Sequence, residues 1–179
     1  MLRLIKRDRI YTGKLISLNV NTYADLDGNE MQREFIEHPG AAVVIPVVSK
    51  DEVILVEQFR VGAGRKLLEF PAGCIDKGED PRQTAARELE EETGMKAGKL
   101  ESLFSMYPSA GILNEQMHIF LATQLEDTGK QTLDEDEDVE IVRMSFKDLR
   151  TQMRAGNIKD GKTLAALGWL FSFRPSFKD

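Results

Sequence analysis

Residues 41–48, AAVVIPVV, form a continuous apolar run, the pattern of a strand buried on both faces. Residues 53–60 and 66–70 predict two more strands, separated from the first and from each other by a turn at 49–52 and a Gly-containing loop at 61–65. Further strands are predicted at 99–107, 116–123 and 139–144. Helical patterns occupy 81–93, the stretch from Ser145 to about Ala155, and 163–173, where Leu164, Leu167, Trp169 and Leu170 are among the apolar residues. Upstream, residues 10–20 and 31–37 read as strands joined near Asp27-Gly28-Asn29, a strong turn signal. His38-Pro39-Gly40 then breaks the pattern. The mixture of strands and helices predicts an α/β domain over 39–179 with helices on both sides of its sheet. The 1–38 β unit is too small to be stable alone and needs the main domain or a partner subunit to pack against.

Composition narrows the function classes. The 179 residues are 41% hydrophobic, enough for a real core, and carry a net charge of -6. That balance offers no general basic surface to a nucleic-acid backbone, so an anionic substrate would need local Arg residues or metal ions. Cys74 is the single cysteine, which excludes an intrachain disulfide and fits a reducing cytoplasm. No apolar run approaches the ~18 residues of a membrane span, and the basic start MLRLIKRDRI lacks the apolar core of a secretory signal.

Chemistry concentrates in 73–95, GCIDKGEDPRQTAARELEEETGM. Asp80 can cap the helix, Pro81 suits its first position, Gln83 completes a capping box and Gly94 suits its end. On this helix Glu88, Glu91 and Glu92 fall within an arc of roughly 100°, while Glu90 points away. Ala85, Ala86 and Leu89 form the neighbouring apolar stripe, expected to face a core. Three carboxylates on one arc repel one another. Either the face is simply solvated, or a hard divalent cation such as Mg²⁺ offsets the repulsion.

The stretch fits G-x5-E-x7-R-E-U-x-E-E-x-G-U, with U apolar, through Gly73, Glu79, Arg87, Glu88, Leu89, Glu91, Glu92, Gly94 and Met95. It resembles the Nudix box. The segments 53–60 (VILVEQFR), 68–73 (LEFPAG) and 33–41 (REFIEHPGA) are similar to the ADP-ribose and nucleoside-diphosphate-sugar pyrophosphatases of that family. The resemblance implies a Nudix-type α/β/α sandwich with a mixed central sheet and a small N-terminal β unit for dimerisation. It also implies Mg²⁺ or Mn²⁺ held by the Ala72 carbonyl, Glu88 and Glu92, with a contribution from Glu91. Arg87 would orient the carboxylates and Glu79 would support the loop.

Substrate contacts are implied for Arg60, for Arg33 reaching the partner's base pocket, and for the loop Ala110, Gly111 and Glu115. The run 134–140 holds six acids in seven residues. It reads as a solvated face on charge alone, but resembles the segment that supplies the branch's catalytic base, here Glu135 or Glu137. Ala110 stands where ADP-ribose pyrophosphatases commonly carry Pro. The expected reaction is metal-dependent hydrolysis of ADP-ribose or a related nucleoside diphosphate sugar to AMP and ribose 5-phosphate, or their equivalents. GDP-mannose or broad nucleotide-sugar hydrolysis is the alternative. An RNA 5′-end or nucleoside triphosphate hydrolase, and a ligand sensor without turnover, are further alternatives. The implied assembly is a homodimer with swapped N-terminal strands, acting on a small molecule rather than on nucleic acid or a membrane.

Overall fold

A computed structural model describes residues 1–133, 138–174 and 177. The chain forms two compact units. One comprises Met1–Gly40 with Met106–Met117, the other Ala41–Ser105 with His118–Asp179.

The first unit is an antiparallel sheet of three strands, β1 (Arg3–Thr12), β2 (Ser17–Ala24) and β3 (Glu30–Glu37), in that order. The strand expected over 10–20 is therefore two strands. Gly13 N–H donates to the Ile16 carbonyl at 2.8 Å and turns the chain between them. The expected Asp27-Gly28-Asn29 turn joins β2 to β3. Asp25 organises it by accepting from the Asp27 and Asn29 amides at 2.9 Å each, and Gly28 takes a φ of +88°. Residues 106–117 join this unit through β3. Ile36 N–H donates to the Ile112 carbonyl at 2.8 Å, and Asn114 N–H donates to the Ile36 carbonyl at 3.3 Å.

Among its described residues the second unit divides seven strands between two sheets. β5 (Glu52–Arg60) lies between β10 (Val139–Ser145) and β6 (Arg65–Glu69), antiparallel to both. The other sheet runs β7 (Ala72–Cys74), β4 (Ala41–Pro46), β9 (Met117–Asp127), β8 (Met95–Met106). Every residue of β4 is buried, as its apolar run requires. β7 was not apparent from the sequence, since three residues are too few to show a period. The helices are α1 (Pro81–Thr93), α2 (Phe146–Arg154) and α3 (Gly161–Phe173). Ala85 and Leu89 of α1 pack with Ala42, Val44, Ile54, Phe120 and Ala122 in one cluster. Burying Leu89 contributes roughly 1.5–3 kcal/mol. Among the described residues no helix is long and apolar enough to cross a membrane.

Candidate active site

Helix α1 starts and stops as its sequence dictates. Asp80 accepts from the Arg82 and Gln83 amides at 2.8 and 3.0 Å, and Gln83 Oε1 accepts from Asp80 N–H at 2.9 Å. Gly94 ends the helix with a φ of +68°.

The helix's orientation departs from the expected one in an informative way. Ala86 is exposed, so it does not belong to the apolar stripe. The buried residues are Thr84, Ala85, Glu88, Leu89, Glu92 and Thr93. Glu92 lies near the middle of that arc, and Glu88 and Glu92 are only 7% and 1% exposed. Repulsion along an exposed acidic face would cost a few tenths of a kcal/mol per pair. Burying a carboxylate costs several kcal/mol unless positive charge compensates. The second effect is the larger by an order of magnitude, so the solvated-face reading fails and the buried carboxylates need compensation by charge or hydrogen bonds.

Arg87 supplies part of that compensation. Its Nη1 donates to Glu88 Oε1 at 2.7 Å and to Glu91 Oε2 at 2.9 Å. Its Nε and Nη2 donate to Glu79 at 3.0 and 3.2 Å, and Nη2 also donates to the Cys74 carbonyl at 3.2 Å. The guanidinium pKa is raised above its ordinary value, chiefly by its hydrogen bonds to Glu79 against the opposing effect of burial. Glu79 is correspondingly held down to about 2 by the hydrogen bonds from Arg87 and then from Thr84. Arg87 is thus fully engaged in orienting carboxylates, and Glu79 braces the loop before the helix.

Gly73 makes room for Glu88. A Cβ at this position would fall 1.9 Å from Glu88 Oε1 and 2.1 Å from its Cδ. The Glu88 carboxylate therefore lies directly on the β7 backbone at Gly73, the residue after Ala72, which pairs with Val43 in the sheet. Two buried carboxylates and a neighbouring backbone carbonyl are hard oxygen donors, the set that suits Mg²⁺ or Mn²⁺. Among the described residues no group of three His, Cys, Asp or Glu is placed to hold a metal. The implied set counts three such side chains, Glu88, Glu91 and Glu92, and the described side chains do not draw all three into one metal-holding group.

Arg60, at the end of β5, is not an isolated surface cation. Its Nε and Nη2 donate to the two carboxylate oxygens of Glu69 at 2.7 and 3.1 Å, and Glu69 is fully buried. Burial depresses the Arg60 pKa, but Glu69, followed by Glu92 and Asp160, outweighs it and raises the value. Arg60 therefore feels the charge of Glu92. Lys162 also donates to Glu69, and to Asp160 at 3.0 Å. Sequence reasoning missed Glu69, Asp160 and Lys162. The signal was present in Asp160, which caps α3 by accepting from Thr163 N–H at 2.9 Å, and in a Glu set between the apolar Leu68 and Phe70.

The remaining expected contacts belong to the first unit. Arg33 is exposed on β3, and its Nη1 donates to the Gln32 carbonyl at 2.7 Å. Ala110 and Gly111 are exposed in a turn closed by Ile112 and Leu113 amides donating to the Ser109 carbonyl at 3.1 and 3.0 Å. Glu115 Oε1 lies 3.7 Å from His38 Nδ1, and His38 N–H donates to Asn114 Oδ1 at 2.8 Å. Glu135 and Glu137, the candidate bases, lie outside the described residues.

The α/β fold and the carboxylate helix define a Nudix hydrolase. The chain belongs to that family, since the NUDIX domain matches residues 37–167. Among its relatives, the ADP-ribose pyrophosphatase of Bacillus subtilis is 40% identical over 93% of this chain and 90% of its own length. The methanol dehydrogenase activator of Bacillus methanolicus is 36% identical over 93% of this chain and 90% of its own length. A GDP-mannose pyrophosphatase of Escherichia coli is 30% identical over 92% of each chain. A crystal structure titled as an ADP compounds hydrolase shares the fold, with a TM-score of 0.83 at 22% identity, over 96% of this chain and 93% of its own.

Proposed function

We propose that the protein hydrolyses the diphosphate of ADP-ribose or a related nucleoside diphosphate sugar, releasing AMP and ribose 5-phosphate or their equivalents. The observation that carries this reading is the burial of Glu88 and Glu92 beside the Gly73 backbone. The relatives named for ADP-ribose and GDP-mannose hydrolysis support the substrate class.

In this reading the Ala72 carbonyl, Glu88 and Glu92, with a contribution from Glu91, would hold Mg²⁺ or Mn²⁺. Such a cation, when bound, neutralises phosphate oxygens and lowers the pKa of a coordinated water. Arg87 fixes the Glu88 and Glu91 carboxylates in place. Arg60 offers positive charge to a phosphate oxygen while Glu69 holds its guanidinium plane. Glu135 or Glu137 takes the proton of the water that attacks phosphorus. Arg33 and the loop carrying Ala110, Gly111 and Glu115 select base and sugar. Ala110, standing where Pro is usual in ADP-ribose enzymes, favours a second reading in which GDP-mannose or several nucleotide sugars are accepted.

A homodimer built through the N-terminal strands accompanies this function. Its support is β1, which exposes Leu4, Ile5, Ile10 and Tyr11 by 43–60%. An unpaired apolar edge strand of this kind is an invitation to pair.

The test is incubation of the purified protein with a panel of ADP-ribose, ADP-glucose, GDP-mannose, nucleoside triphosphates and capped RNA, with and without Mg²⁺. Nucleoside monophosphate from the diphosphate sugars alone, and only with the metal, is the expected result. Binding without product, or release of pyrophosphate from triphosphates, would overturn the reading.

A further inference from the structure

The crossover between the two sheets of the second unit is short. β6 ends at Glu69, β7 begins at Ala72, and only Phe70 and Pro71 lie between. Proline fixes its own φ and restricts the residue before it to extended conformations, so this link is stiff from its sequence alone. The fold then tethers each residue of the link separately. Glu69 is clamped by Arg60 on one side and by Lys162 on the other. Phe70 N–H donates to Thr163 Oγ1 at 2.9 Å, a bond between two fully buried residues. The Pro71 carbonyl accepts from Val44 N–H at 2.9 Å.

Two of these partners, Lys162 and Thr163, come from the start of one helix. Asp160 caps α3 and accepts from Lys162, while Thr163 supplies the hydroxyl. A buried ion cluster is a poor device for stability, since well-packed apolar residues of the same volume serve equally well or better. What such a cluster does provide is geometry. Here the geometry is imposed on the residues immediately before Ala72 and on Arg60, which also feels Glu92.

We propose that Glu69, Lys162 and Thr163 are positioning residues for the metal site. They fix the Phe70–Pro71 link so that the Ala72 carbonyl stands beside Glu88, and they hold Arg60 in register with it. The start of α3, distant in sequence from the Nudix box, thereby becomes part of the machinery that determines metal affinity. This inference rests on the metal-binding reading of Ala72, Glu88 and Glu92.

The experiment measures Mn²⁺ binding by electron paramagnetic resonance, without substrate, at a temperature where thermal melting shows every variant folded. Thr163→Val keeps the shape of the side chain and removes the acceptor for Phe70 N–H. Thr163→Ser keeps the acceptor and removes a methyl group. Lys162→Met removes one clamp on Glu69. Thr163→Val and Lys162→Met are expected to weaken Mn²⁺ binding about 10-fold, at the lower end of what loss of a partner behind a metal ligand costs. Thr163→Ser is expected to bind as wild type even if it melts earlier. Leu149→Ala, fully buried in α2, serves as a destabilised control and is expected to keep wild-type affinity. Wild-type binding by both Thr163→Val and Lys162→Met would overturn the proposal, as would equal weakening by Leu149→Ala. Glu92→Gln separates the two levels of inference. If it too binds Mn²⁺ normally, the metal site itself is misassigned and the positioning role falls with it. If it loses binding while the Thr163 and Lys162 variants do not, only the positioning role falls.

Discussion

A methyl group added at position 73 would fall 1.9 Å from Glu88 Oε1, closer than any real contact. The obstructed group is the far end of a side chain, so the backbone need not move. Gly73→Ala is therefore expected to fold with little change in melting temperature while the Glu88 carboxylate is pushed off β7. Activity should fall about 10–100-fold, the usual cost of misplacing a metal ligand or its support. Measuring kcat and thermal melting on the same preparation checks this, and a large loss of stability with normal kcat would contradict it. Glu79 carries a different expectation. Its folded pKa is depressed from the ordinary 4.5 to about 2. Between these values the unfolded state binds more protons, so the stabilisation from the Arg87–Glu79 pair is complete above pH 4.5 and is lost as pH falls through 2. Chemical unfolding of Glu79→Gln across that window should show a shallower dependence on pH than the wild type, and an unchanged slope would remove the pair from the ledger of acid stability.

Helix α1 shows what a sequence can and cannot reveal about an element. Its caps were readable because Asp80, Pro81, Gln83 and Gly94 act through local backbone hydrogen bonds. The carboxylate spacing was readable for the same reason. The direction in which the helix faces was only partly readable, because Ala86 and Glu92 exchange the roles that polarity assigns them: the alanine is exposed and the glutamate buried. That inversion falls at the proposed site, where the buried charge would be offset by a divalent cation. The network at the start of α3 escaped notice because Lys162 and Glu69 are 93 residues apart, and the LEFPAG segment that holds Glu69 does not reveal its partner. The β1–β2 turn was missed because Gly13 sits within a run of β-forming residues without a second turn signal. β4, by contrast, was unambiguous, since a run buried on both faces needs no long-range information.

The two units divide the work. One carries the expected metal donors and Arg60. The other carries Arg33 and the Ala110–Glu115 loop, with that loop hydrogen-bonded onto the strand that holds Arg33. The residues proposed to select the substrate thus belong to a different unit from the proposed metal donors. If that sheet also pairs two chains, sedimentation velocity should give twice the 20.2 kDa mass of the chain, and Leu4→Lys combined with Ile10→Lys should return the protein to monomer. A wild-type protein that sediments at 20.2 kDa would remove the dimer from the account.

Everything in the proposed chemistry passes through the buried carboxylates of α1. The most direct measurement is turnover of ADP-ribose in Mg²⁺ by the wild type and by Glu92→Gln, followed as release of AMP. The amide is nearly isosteric with the acid but carries no charge, so folding should survive while metal-dependent turnover falls by about 100-fold or more. Wild-type turnover in Glu92→Gln would contradict the assignment of this helix as the metal-binding half of the site.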